Sequence, residues 1–339
     1  MLRKTLALGV VLIVAATTVL SGCTAKPSAD RTSAPQNEKV VLKLGHTLQE
    51  DHPLNKAALK FSELVKEGTQ GRVEVQVFPN SQLGGEKDIV EGVKVGSIDL
   101  FLVAAGILGR FEPSITIMDA PYVWRDFDHL KKAMRGPIGE EIGQKMSSGQ
   151  GLRVLDFAWY YGLRHLTANK PVMTPADAKG MKIRTPPSPI NIACAKVLGG
   201  IGTPMNPSEL YMALKEGVVD AQENPLPTIY TMKTYEVQKY IMLTGHLMQS
   251  EVLGISEKVF QKLSLEDQQV LIKAAQEAGD YNTKLTMEAE EYYRNKFKEL
   301  GNDVIEPNLE AFRNNAKPVY QEFESTWGKG LYEKIQAVK

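Results

Sequence analysis

Signatures of catalysis are missing from this chain of 339 residues. It has no G-x-S-x-G elbow, no H-E-x-x-H, no G-x-x-x-x-G-K-S/T and no cysteine nucleophile with a partner histidine. Cysteine is scarce: Cys23 and Cys194 are the two in the chain, which excludes a disulfide framework. The histidines His46, His52, His129, His165 and His246 are scattered, without the spacing of a metal centre, so neither metal nor cofactor is expected. An excess of one charge is also lacking. The 40 basic side chains equal the 40 acidic ones, and nothing resembles a basic nucleic-acid footprint. Apart from Leu6–Leu20, no run is long and apolar enough to approach a membrane span.

What is present begins at the N-terminus. Arg3 and Lys4 precede the apolar stretch Leu6–Leu20, and Leu20-Ser21-Gly22-Cys23 follows it. This is the layout of a secretory signal over residues 1–22. The L-S-G-C ending looks like a lipobox, which implies a lipid on Cys23; the plainer alternative is an ordinary signal with an incidental cysteine. Removing the signal takes two basic residues and no acid, leaving 38 against 40 and a net charge of about −2. Residues 24–39, rich in Pro, Ser, Ala and Thr without apolar period, read as a flexible tether. The expected location is therefore extracytoplasmic, at the outer face of a membrane. Cys194, in an apolar helical stretch, reads as a small buried hydrophobe.

The remaining chain, roughly 300 residues, exceeds the usual size of one core, so two domains are expected. Strand and helix signals alternate, which argues for an α/β architecture. Strands are expected at Val40–His46, Arg72–Phe78, Ile98–Ala104, Leu152–Phe157, Tyr160–Ala168, Met181–Thr185 and Val218–Gln222. Helices are expected at Pro53–Thr69, Glu86–Val95, Ile190–Leu198 and Pro207–Glu216. One long helical pattern runs from Ser264 to Leu300, with Ser264 and Asp267 as a capping box. Its length exceeds the diameter of a small domain, so it can cross both.

Two arginines interrupt strands that otherwise read as buried. Arg164 stands in G-L-R-H-L-T-A-N and Arg184 in M-K-I-R-T-P. A guanidinium keeps its charge and is costly to bury alone. Its planar fork suits a carboxylate. Asn224, in D-A-Q-E-N-P, follows the strand Val218–Gln222. Converging, the three would receive a small organic anion; the plainer reading pairs each arginine with an acid of the protein itself.

Other candidates surround them. His46 and His52 flank a loop after the first strand, and an open α/β sheet gathers ligands at the carboxyl ends of its strands. His46 is a candidate contact; His52 also suits capping of the helix at Pro53. Glu86 opens a helix after a glycine pair, where the helix dipole alone explains an acid. Trp159, Tyr160 and Tyr211 are candidate walls, with Tyr211 preferred because it follows the G-T-P-M-N-P loop.

From about Val40 to Val338 the chain resembles the solute-binding proteins of TRAP (tripartite ATP-independent periplasmic) transporters, the DctP family. The stretches that carry the resemblance are F-P-N-S-Q-L-G-G-E-K-D, V-G-S-I-D-L, G-L-R-H-L-T-A-N, A-D-A-K-G-M-K-I-R-T-P, G-T-P-M-N-P-S-E-L-Y-M-A-L, D-A-Q-E-N-P and Y-E-V-Q-K-Y-I. The resemblance implies a periplasmic-binding-protein-like fold of two lobes, with a ligand cleft between them and the long helix crossing both. Lobe I would comprise 40–160 and 249–288, lobe II 161–248 and 289–339. It implies that Arg184 salt-bridges a ligand carboxylate, that Arg164 and Asn224 support it, and that Glu86 reaches the cleft. Ala104 falls where sialic-acid-binding relatives carry a glutamate, which argues against sialic acid. The implied function is non-enzymatic: a monomeric receptor handing an organic acid to membrane permease subunits. The histidines and Glu86 favour a uronate or aldonate over a C4-dicarboxylate or 2-oxo acid. A ligand sensor or an extracytoplasmic enzyme would use the same scaffold.

Overall fold

The structure, a computed structural model, describes residues 39–339. The expected signal, Cys23 and the tether up to residue 38 lie outside the described residues. Nine strands form one sheet: β1 (Val40–Gly45), β2 (Val73–Phe78), β3 (Leu100–Ala104), β4 (Leu152–Ala168), β5 (Lys182–Thr185), β6 (Ile201–Pro204), β7 (Ala221–Pro225), β8 (Tyr240–Ser256) and β9 (Asp303–Ile305). Their order is β2-β1-β3-β8-β4-β7-β5-β6, with β9 beside β8. The architecture is the two-lobed α/β arrangement. Parallel β1, β2 and β3 belong to one lobe, and parallel β5, β6 and β7 to the other.

β4 and β8, 17 residues each, run antiparallel through both lobes. The sequence suggested two segments, Leu152–Phe157 and Tyr160–Ala168, where one strand exists. Four register shifts interrupt its pairing with β8, and such bulges bend a strand. Gly162 sits at one of them with φ +128°, a conformation closed to side chains; a Cβ there would come within 2.8 Å of Pro225 and Glu290.

The helix Leu265–Glu299 spans both lobes. Its first half packs Leu271, Ala275 and Ala278 against Phe61 and Trp159 in the core of the first lobe. The Trp159 indole donates to the Ala275 carbonyl at 3.0 Å, so this aromatic is core rather than a cleft wall. The far end of the helix places Phe297 with Ile229 and Ile241 in the second lobe. The chain after it departs from the expected boundary. Phe312 joins the core of the second lobe, but Val319, Phe323, Trp327 and Ile335 pack into that of the first. The helix Leu309–Trp327 therefore spans both lobes, because its apolar side chains divide between the two cores.

Candidate functional site

Three neighbouring strands bring the basic side of the site together. β4 carries Arg164, β7 carries Asn224 and β5 carries Arg184, with His165 opposite Asn224 and Arg184 level with Gln222. Asn224 lies within its strand, where the sequence had placed it beyond the end. Strand pairing continues through Glu223, Asn224 and Pro225 because β4 supplies partners for them. From the other lobe, β3 ends at Ala104, the helix Glu86–Val95 begins at Glu86, and β8 presents Gln249 and Glu251. These residues line one cavity with Tyr161, Leu48 and Pro207. Parallel strands of both lobes thus point their carboxyl ends at the cleft, as in other open α/β sheets.

The cavity volume is about 30 Å³, enough for one or two waters, so a larger ligand enters only as the lobes part. A groove of about 640 Å³ exists elsewhere, lined by Tyr122, Leu243, Met248 and Arg294 among others, but it holds neither Arg184 nor Asn224. Buried charge, not volume, distinguishes the smaller cavity.

Arg164 is committed to the protein. Its Nε and Nη2 donate to the two carboxylate oxygens of Glu223 at 2.5 and 2.8 Å, and Nη1 donates to Gln249 at 2.6 Å. Burial opposes its charge, yet Glu223 outweighs that and holds the guanidinium above its ordinary pKa. Burial also opposes ionisation of Glu223, but Arg164 and the His246 contact bring that acid down to about 2.

Arg184 has no such partner. Its Nε and Nη2 both donate to the carbonyl of Met205, at 3.0 and 2.6 Å, and no carboxylate among the described residues forms an ion pair with it. It is 3% exposed. Burial, reinforced by the charge of Arg164, lowers its pKa to about 10, so it remains cationic at neutral pH. An uncompensated buried ion costs several kcal/mol, and an anion in the cavity would relieve that cost.

Asn224 donates to Gln222 at 2.6 Å. Its oxygen lies 3.5 Å from the Tyr161 hydroxyl, which Thr228 approaches at 2.9 Å, with His52 next at 3.1 Å. His52 also caps its helix by accepting from the Leu54 amide. It thus reaches the cavity wall only through Thr228 and Tyr161. Burial brings His52 down to about 3 and His46 to about 4, so both are neutral.

Glu86 accepts from the Ala104 amide at 2.9 Å. Burial raises its pKa against the pull of both arginines. His46 does not line the cavity. Its ring bonds Asn55 and accepts from the Leu48 amide, shaping the loop whose Thr47 and Leu48 do line it. Tyr211 stands away from the cavity, donating to Glu236 at the surface. Tyr160 turns to Glu290 of the long helix. The structure therefore brings together Arg164, Arg184, Asn224 and Glu86, and leaves His46 and Tyr211 outside.

Sequence reasoning missed Gln249 and Glu251. A signal existed: two polar residues at alternate positions of L-M-Q-S-E-V-L share one face of a strand. Gln249 links Arg164 to Asp119, whose carboxylate also accepts from the Gly106 amide. Among the described residues, no group of three or more side chains could hold a metal ion.

Comparison with known proteins identifies the family. The chain is 35% identical over 306 residues to the sialic acid-binding periplasmic protein of Vibrio cholerae, covering 90% of this chain and 95% of that one. It is 37% identical to the 2,3-diketo-L-gulonate-binding periplasmic protein of Escherichia coli, over 78% of this chain and 80% of the relative. Among solved structures, a TRAP periplasmic solute-binding protein of Polaromonas bound to D-erythronate superposes with a TM-score of 0.84 at 38% identity, covering 89% of this chain and 99% of that one. The family model for bacterial extracellular solute-binding proteins, family 7, matches residues 44–326. The chain belongs to that family, DctP, the solute-binding proteins of TRAP transporters.

Proposed function

We propose that this protein captures a small organic acid, a uronate or aldonate in preference to other acids, and delivers it to the permease subunits of a TRAP transporter. The observation that carries the reading is Arg184, a buried fork-shaped cation whose only described partner is a backbone carbonyl. A bidentate ligand carboxylate supplies what the fork lacks. Arg164, which lines the same cavity, acts behind it, neutralised by Glu223. Asn224 and Glu86 complete the contacts. The sugar acids named for the relatives above support the choice of ligand class.

Capture follows from closure. The basic strands belong to one lobe, Glu86 and Ala104 to the other, and only the closed form presents both to one molecule, so ligand shifts the population toward it. The receptor acts as a monomer, held outside the membrane by a lipid on Cys23; Leu20-Ser21-Gly22-Cys23 supports that anchor. Mass spectrometry of the mature N-terminus tests it, and an unmodified Cys23 would refute it.

The binding reading is tested by a thermal-shift screen of the chain from residue 40 against uronates, aldonates, 2-oxo acids and dicarboxylates. Native-state ligands raise the melting temperature by mass action. A hit lost in a folded Arg184→Ala variant supports the reading. Undiminished binding by that variant removes Arg184 from the site.

A further inference from the structure

Glu251 is the unexplained group in the cavity. It is 5% exposed, lines the cavity, and its carboxyl has no hydrogen-bond partner among the described residues. Register places it directly across from Ala104 of β3. Ala104 in turn donates its amide to Glu86. Two carboxyl groups therefore flank one small residue on the same side of the cleft.

The charges around this pair do not balance. Arg164 of β4 is already neutralised by Glu223 of β7. Asp119 is buried behind Gln249 and adds negative charge, and Tyr161 of β4 is a neutral phenol. Arg184 of β5 is the one cation in the cavity lacking an acid among the described residues. Once a ligand carboxylate occupies Arg184, nothing remains to neutralise Glu86 or Glu251. Two ionised carboxylates in a closed, dry cleft would then face each other uncompensated, at a cost of the kind that forces buried acids to keep a proton.

Building on the carboxylate-receptor reading, we propose that Glu251 is the specificity-determining residue of this site. With Glu86 it receives the hydroxyl-bearing end of the ligand, and closure places a proton on the pair. Hydroxyl groups satisfy such a pair because each can donate to an ionised oxygen and accept from a protonated one. A second ligand carboxylate at that end would add a third acid to a place with no cation. The site therefore admits polyhydroxy monocarboxylates and rejects dicarboxylates.

Burial, with the charges of Glu86 and Asp119, raises the pKa of Glu251 well above the ordinary carboxylate value. Glu86 is raised too, although it is only partly buried. In the open form solvent returns both toward ordinary values. Binding accordingly takes up protons, and affinity falls as pH rises from about 5, the upper edge of the ordinary carboxylate range.

Isothermal calorimetry on the chain from residue 40, with D-erythronate, D-glucuronate, D-galacturonate and succinate, tests this. Each acid is measured in two buffers of different ionisation heat. The wild type is expected to prefer one of the hydroxy acids to succinate and to take up protons as it binds. Glu251→Gln, nearly isosteric, is expected to narrow that preference at least tenfold and to reduce the proton uptake. Arg184→Ala serves as the second arm. If it loses all binding while Glu251→Gln keeps both preference and uptake, the specificity role is wrong and the receptor reading stands. If Arg184→Ala binds as the wild type does, or the wild type binds none of the four acids, the reading beneath the proposal fails with it. A succinate preference in the wild type also overturns it. The variant's melting temperature shows whether it is folded.

Discussion

The two arginines of the cleft sit on neighbouring parts of one sheet, equally buried, and live in opposite surroundings. Arg164 on β4 meets a full complement of partners: both oxygens of Glu223, the Glu223 carbonyl and Gln249. Arg184 on β5 meets one backbone oxygen. Burial is thus a poor guide to role, and the inventory of partners is a better one. A charge whose counterion is built in belongs to the fold. A charge whose counterion is missing is stabilised by whatever enters. The same buried chemistry is matched within the protein on one strand and left unmatched two strands away.

The largest expected effect breaks the comparison from the structural side. Arg164→Ala leaves the buried Glu223 with His246 as its remaining side-chain partner, and breaking such a buried pair costs about 3–5 kcal/mol of stability, read as a lower urea midpoint at unchanged slope. Arg184→Ala should do the reverse, leaving the midpoint unchanged or raised. If both variants lose stability equally, the two arginines are alike and the distinction fails.

Next is affinity. Arg184→Ala should cost about 2–5 kcal/mol of binding, or roughly thirty- to several-thousand-fold, in the calorimeter. Arg184→Lys should recover little, since an ammonium cannot reproduce the fork. Recovery of near-native affinity by lysine would mean that point charge suffices.

A smaller effect concerns shape. If the anion binds in the cavity that the arginine strands and Glu86 line from different lobes, ligand should reduce the radius of gyration in small-angle scattering. An unchanged radius with proven binding would place the whole site on the arginine side.

The smallest effect lies at the crossover. Glu290 accepts from the Leu163 amide at 2.7 Å and the Tyr160 hydroxyl at 3.0 Å, and burial raises its pKa from 4.5 to about 7. The folded state holds this proton more tightly than the unfolded chain does. Its contribution is therefore present below about pH 4.5 and is lost as pH rises through about 7. Glu290→Gln should flatten that part of the melting-temperature profile, and an identical profile would show that Glu290 does not titrate there.

Much of the architecture was legible because its elements obey simple periods. The helix Glu86–Val95 matches its expectation residue for residue, and the long helix differs by one at either end. β8 was not found. Its central residues His246, Gln249, Ser250 and Glu251 are buried but polar, so the run lacks the apolar alternation by which a strand is recognised. β7 was placed three residues early for the same reason: Glu223, Asn224 and Pro225 look like a loop until Arg164 and β4 supply their partners. Arg164, Arg184 and Asn224 stood out because charge and amide interrupt apolar strands. The directions of His46 and Tyr211 depended on Asn55 and Glu236, contacts that no local pattern encodes.

β4 and β8 carry one further consequence. The lobes are joined not by loose connectors but by paired strands, pinned at Gly162 and braced by two helices that touch both sides. Such a joint behaves as a leaf spring rather than a door on pins. Any movement of one lobe against the other must flex this hydrogen-bonded backbone, so the restoring force would be distributed along the strands. On the proposed receptor reading, a bound acid would have to hold the lobes together against that elastic load.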